Sequence, residues 1–138
     1  MVQIQSSVEI NAPLEKVWDI VSDLDAEPKF WKGTKEVRNI SKQGNVVSRE
    51  VTIAFKDSKC MQTVILYPKE KIQAEFTKGV INGTRTIILT PKEGVTRLEA
   101  IWDMKLSGMM GIFTGMVKKH IQSGTEQALQ SIKQEAER

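Results

Sequence analysis

Histidine and cysteine each occur once in this 138-residue chain, as His120 and Cys60. A lone thiol closes no internal disulfide, which fits a reducing compartment. One histidine and one distant cysteine do not supply the ligands of a zinc site. The chain has no H-E-x-x-H helix, no G-x-x-x-x-G-K-[ST] loop and no nucleophile motif. Neither a metal nor another cofactor is therefore expected, and no catalytic residue is assigned. No apolar run reaches the roughly 18–20 residues that cross a bilayer. No basic-then-apolar leader opens the chain, so the expectation is a cytoplasmic protein. Aromatic residues make up only 6% of the chain. They do not form a stacking pattern with the basic residues, which argues against nucleic acid as a partner.

What is present is ordinary for a soluble domain: 40% hydrophobic and 27% charged residues. The length suits one domain with a real core, and no linker or repeat divides residues 1–138. The net charge of +3 is unevenly spread. Residues 1–28 hold one lysine and six acids, whereas residues 29–59 hold eight Lys/Arg and three acids. The second stretch is either a basic patch for an anionic membrane surface or an acidic protein, or a solvated sheet face with strand-edge lysines.

Period-two alternation from Val2 to Ile10 predicts a half-buried strand. Pro13 then suits a first helical turn, and Leu14, Val17, Trp18 and Val21 form the buried stripe of a short helix reaching about Asp23. Asp25 is placed to cap a second short helix, with Pro28 in its first turn and Phe30 and Trp31 at its end. Six strands follow: 34–42, 46–55, 58–67, 72–78, 81–90 and 95–106. They are separated by turn residues such as Gln43-Gly44-Asn45 and Pro91 to Gly94. From Met109 to Arg138 the pattern is helical. Phe113, Val117, Ile121, Gly124, Ala128 and Ile132 recur on one face. At ~1.5 Å per residue this helix would be about 45 Å long.

Segregated helices and strands predict an α+β fold, a seven-stranded antiparallel sheet with the long C-terminal helix across its concave face. That order resembles the START/Bet v 1-like (SRPBCC) superfamily. The likeness is strongest to its polyketide cyclase/dehydrase and lipid-transport branch, including coenzyme-Q-binding-like proteins. It is carried by Ile10, Pro13, Val17, Trp18, Asp23, Phe30 and Trp31, by Thr96-Arg97-Leu98, and by the terminal helix. The resemblance implies a helix-grip fold with an internal cavity for a hydrophobic ligand. The superfamily spans carriers, receptors, cyclases, oxygenase domains and chaperone activators, so fold alone does not name the function.

Strand phase supplies the site candidates. Val47, Arg49, Val51, Ile53 and Phe55 share one face, and Thr96, Leu98, Ala100, Trp102 and Met104 share another. These apolar faces should point inward. Arg49 then sits among apolar residues, either in a salt bridge to an acid from a helix or as an anchor for a ligand carboxylate or phosphate. Arg85, in phase with Ile81, Ile87 and Leu89, is a second case. Gly108, Gly111 and Gly115 should fray or bend the start of the long helix. Met104, Met109, Met110, Met116 and Phe113 there suit either a mobile gate or close packing. His120 lies at the edge of the buried stripe, as a boundary residue or a ligand contact. The candidate ligand-binding set is Phe30, Trp31, Arg49, Val51, Ile53, Arg85, Trp102, Met104, Met109, Phe113, Met116 and His120. The expected function is binding or transport of a lipid, isoprenoid, quinone or polyketide-like molecule. The alternatives are a chaperone-activator-like interaction module and a cyclase/dehydratase using His120.

Overall fold

In a computed structural model describing residues 2–138, the alternating N-terminal residues form β1 (Val2–Ile10). Then come α1 (Leu14–Val21), a 3-10 turn (Leu24–Ala26) and α2 (Glu27–Phe30). The strands are β2 (Thr34–Gln43), β3 (Val46–Ile53), β4 (Lys59–Tyr67), β5 (Lys71–Lys78), β6 (Ile81–Lys92) and β7 (Val95–Leu106). The chain closes with α3 (Gly108–Ile112) and α4 (Thr114–Ala136). The seven strands make one open antiparallel sheet in the order β1-β7-β6-β5-β4-β3-β2. The segment carrying α1 and α2 therefore runs from one sheet edge to the other, and α4 lies against the concave side. This is the helix-grip architecture expected from the sequence.

Boundaries moved where local chemistry differed from the simplest pattern. Pro91 and Lys92 keep their pairing with Thr96 and Val95. The turn is thus the two residues Glu93-Gly94, at φ 49 and 80, the left-handed pair that a tight hairpin requires. Asp25 does not cap a helix. It lies inside the 3-10 turn, and its carboxylate accepts a 2.9 Å hydrogen bond from the Asn39 amide.

The long terminal helix is divided. α3 and α4 meet at Phe113, whose φ of −105° and ψ of 34° break the helical path. The glycines contribute as expected: Gly108 takes φ 61. A Cβ on Gly111 would sit 3.1 Å from the Leu106 carbonyl oxygen, so a side chain there would push α3 off β7 by a few tenths of an ångström.

The two ends of α4 have different surroundings. Towards the C-terminus Ala128, Leu129, Ile132 and Ala136 are buried in the core beside Ile10 and Val17. Lys133 Nζ donates to the Glu9 carbonyl at 2.6 Å, and the Asn11 N–H donates to Glu137 Oε2 at 2.8 Å. These bonds fasten this half to the end of β1. Leu129 fills the centre of the contact with no exposed surface. Leu129→Ala should lower stability by about 2–5 kcal/mol, read by urea unfolding. A loss well under 1 kcal/mol would mean that this half of α4 does not belong to the core.

Candidate functional site

The site is built around one carboxylate. α2 is a single turn, and its first residue, Glu27, is only 7% exposed. Arg49 on β3 is wholly buried and Arg85 on β6 nearly so, because both occupy inward strand positions. Arg49 Nη2 donates to Glu27 Oε1 at 2.6 Å, and Arg85 Nη2 donates to the same oxygen at 3.0 Å. Arg85 Nη1 and Thr34 Oγ1 both donate to Glu27 Oε2 at 3.3 Å. Arg49 is completed by its Nε on Gln62 Oε1 at 2.6 Å and its Nη1 on the Leu24 carbonyl at 3.3 Å. The salt bridge to a helix acid is thus the reading of Arg49 that is observed. Arg85 differs: its Nε is buried with no partner.

Burial alone would push the Glu27 carboxyl up. The charges of Arg85 and Arg49, with their hydrogen bonds, overcome this and lower it from 4.5 to about 2. Glu27 is therefore ionised at neutral pH and makes a poor proton donor or acceptor there. Burial pushes the Cys60 thiol up, against weaker backbone hydrogen bonds at Ile81 and Val80, so it is no activated nucleophile.

This cluster forms one wall of a cavity of about 460 Å³ between the sheet and the first half of α4. Trp31, Phe76 and Trp102 form its aromatic floor. Trp102 stacks on Phe76 at 5.9 Å and meets Trp31 edge-on at 6.3 Å. The Arg85 guanidinium lies 4.4 Å from the Trp31 ring centre and 5.5 Å from that of Trp102. Trp102 Nε1 donates to Thr125 Oγ1 at 3.0 Å, and that hydroxyl donates to the Ile121 carbonyl at 2.7 Å, which ties the floor to α4. Val51, Ile53, Phe55 and Ile81 supply aliphatic and aromatic walls, and Lys32, Met116, His120 and Gln127 surround the mouth.

Of the candidates from the sequence, Trp31, Val51, Ile53, Arg85, Trp102, Met116 and His120 line this cavity. The other five lie elsewhere. Arg49 stands behind the wall, saturated by Glu27, Gln62 and Leu24. Phe30 borders a separate void of about 20 Å³ under α1 and α2. Met104 is packed in the core without exposure. Met109 and Phe113 point outward, 46% and 42% exposed, while Met110, seven residues before the buried Val117, lies on the inner side. Glu27, Gln62, Phe76 and Thr125 were not singled out. Glu27 was readable as the helix acid that Arg49 requires. Gln62 was hidden by the half-apolar character of both faces of β4.

An antiparallel sheet closed over an apolar cavity by a long helix defines a ligand-binding helix-grip domain. The chain belongs to the polyketide cyclase/dehydrase and lipid transport family, which matches residues 1–137. No curated protein matches it. Among solved structures, TTHA0849 of Thermus thermophilus superposes with a TM-score of 0.83 at 16% identity, covering 97% of this chain and 96% of that one. The Zhui aromatase/cyclase of a Streptomyces species gives 0.80 at 14% identity, covering 99% and 93%. A START superfamily protein of Mycobacterium smegmatis gives 0.69 at 19% identity, covering 96% and 99%. At these identities the likeness shows the fold. Among the described residues no helix is long and apolar enough to cross a membrane.

Glu27 contributes to the acid behaviour, beside Glu135 and Glu137, whose carboxyls are lowered by hydrogen bonds from Lys29 and Lys133. The folded value of Glu27 lies below the ordinary 4.5, so its contribution is fully present above pH 4.5 and is lost as pH falls towards 2. That contribution is on the order of 3 kcal/mol. Glu27→Gln should cost about 3–5 kcal/mol at pH 7, because two buried guanidiniums lose their counter-charge. It should also flatten the loss of stability between pH 4.5 and 2. Urea unfolding at pH 7 and pH 3 checks both. An acid limb as steep as the wild type's would show that another group controls it.

Proposed function

We propose that this protein binds and carries a small hydrophobic molecule, of the lipid, isoprenoid, quinone or polyketide-like kind, between the sheet and α4. The observation that carries the reading is the cavity of about 460 Å³ with its largely apolar and aromatic lining. That volume lies in the range of sites that enclose small organic ligands. Apolar burial at ~25 cal/mol per Å² would supply most of the affinity. Beside the mouth, Met109, Ile112, Phe113 and Met116 are exposed. An apolar cargo passing in or out would meet these side chains before water.

The alternatives have less support. A filled interior would favour an interaction module using the basic 29–59 stretch. Five of its eight cations, Lys29, Lys35, Arg38, Arg49 and Lys59, already pair with carboxylates of this chain. A cyclase or dehydratase would have His120 as its acid/base group at the cavity mouth, since Glu27 is held ionised. One residue is a sparse acid/base complement for such chemistry.

Native mass spectrometry of the purified protein, before and after organic extraction, tests the carrier directly. The expected result is extra mass that extraction removes, or uptake of fatty acid or quinone by the extracted protein. Gly124 offers a second test, since it lines the cavity and a Cβ there would meet nothing within 4 Å. Gly124→Leu should occlude the cavity and abolish uptake. Stability should hold or rise by up to ~1 kcal/mol from helix propensity. Undiminished uptake by a folded Gly124→Leu protein would place the ligand elsewhere.

A further inference from the structure

We infer that the ligand carries a carboxylate on its apolar body, and that this group docks against Arg85 at the inner wall of the cavity. The inference rests on the carrier reading above and names the polar end of its cargo.

The charges of the buried cluster do not balance. Two guanidiniums, both at least 95% buried, share the single carboxylate of Glu27. No other acid among the described residues forms an ion pair with either. Arg49 is satisfied by three partners and does not line the cavity. Arg85 does line it, and its Nε–H has no acceptor. The excess positive charge therefore borders the space a ligand would fill. Beside it, Gln62 spends its Oε1 on Arg49 and lines the same wall, which leaves its amide Nε2 as a second donor.

An uncompensated buried cation is strongly unfavourable, and an anion beside it gains accordingly. The void of about 20 Å³ that Arg85 also borders is large enough to hold water. A water there could take the Nε–H but would leave the charge unbalanced. Two donors flanking one excess charge suit a planar, singly charged, two-oxygen acceptor. The rings of Trp31 and Trp102 against the guanidinium then place the apolar body next to the charged head.

The test compares decanoate with 1-decanol at pH 7.5, by displacement of a polarity-sensitive dye from the wild-type protein. Decanoate should bind about ten- to a hundredfold more tightly, the usual gain from a hydrogen-bonded charged group. Equal affinities would overturn the carboxylate assignment while leaving the carrier reading intact. A folded protein that binds neither probe would overturn both. Arg85→Met keeps an apolar side chain and leaves Glu27 paired one-to-one with Arg49. It should lose the preference, read as the ratio of decanoate to decanol affinity within the same folded variant. A preserved preference in that variant would overturn the role of Arg85. Decyl phosphate, with a bulkier and more highly charged head, should bind more weakly than decanoate, and tighter binding would overturn the carboxylate in favour of a phosphate.

Discussion

A single carboxylate holds this structure in register. Glu27 reaches from a one-turn helix to arginines on β3 and β6, strands separated by two others in the sheet. Gln62 on β4 and Thr34 at the start of β2 join the same network. The crossing segment between β1 and β2 is thereby pinned to the concave face, and the strands are held in a curve around it. Buried ion pairs of this kind add little net stability compared with apolar packing. What they add is geometry, because Glu27 meets both guanidiniums only with α2, β3 and β6 held in these positions.

That geometry keeps the cavity open. Elsewhere on the concave face the helix and sheet interdigitate, as Leu98, Ala128 and Leu129 show. At Gly124 the helix presents no side chain, and the facing strands present flat aromatics already engaged with one another and with Arg85. Trp102 cannot swing across to fill the space without giving up its bond to Thr125. The void is thus held by satisfied polar contacts around it, which differs from simple loose packing.

The fold was legible because its signals are local. Period-two strands, short turns and a helical stripe need no partner to be recognised, and the inward phase of Arg49 and Arg85 followed from their apolar neighbours. The site was legible where strand phase decided it, as with Val51, Ile53 and Trp102, and in part at positions in or beside helices, such as Trp31, Met116 and His120. Two kinds of information were missing. The break at Phe113 is not written in the periodicity, and beside it Met109 and Phe113 point outward while Met110 lies inward with Val117. The orientation of β4 shows only in its register with β3, where Cys60, Gln62 and Val64 stand opposite Val51, Arg49 and Val47 and Gln62 accepts from Arg49. Long-range satisfaction of a buried charge leaves no periodic trace in a sequence.

The unequal fastening of α4 has a kinetic consequence. Its last turns are stitched to β1, whereas its first turns border empty space and follow an interrupted, glycine-rich segment. Opening free energies in such a helix are graded along its length, lowest where buried contacts are fewest. On the carrier reading proposed above, cargo exchange would proceed by transient fraying of one end, at a rate set by a small local barrier. The global unfolding barrier would stay with the other end, so residence time and fold lifetime would be separately tunable properties of a single helix.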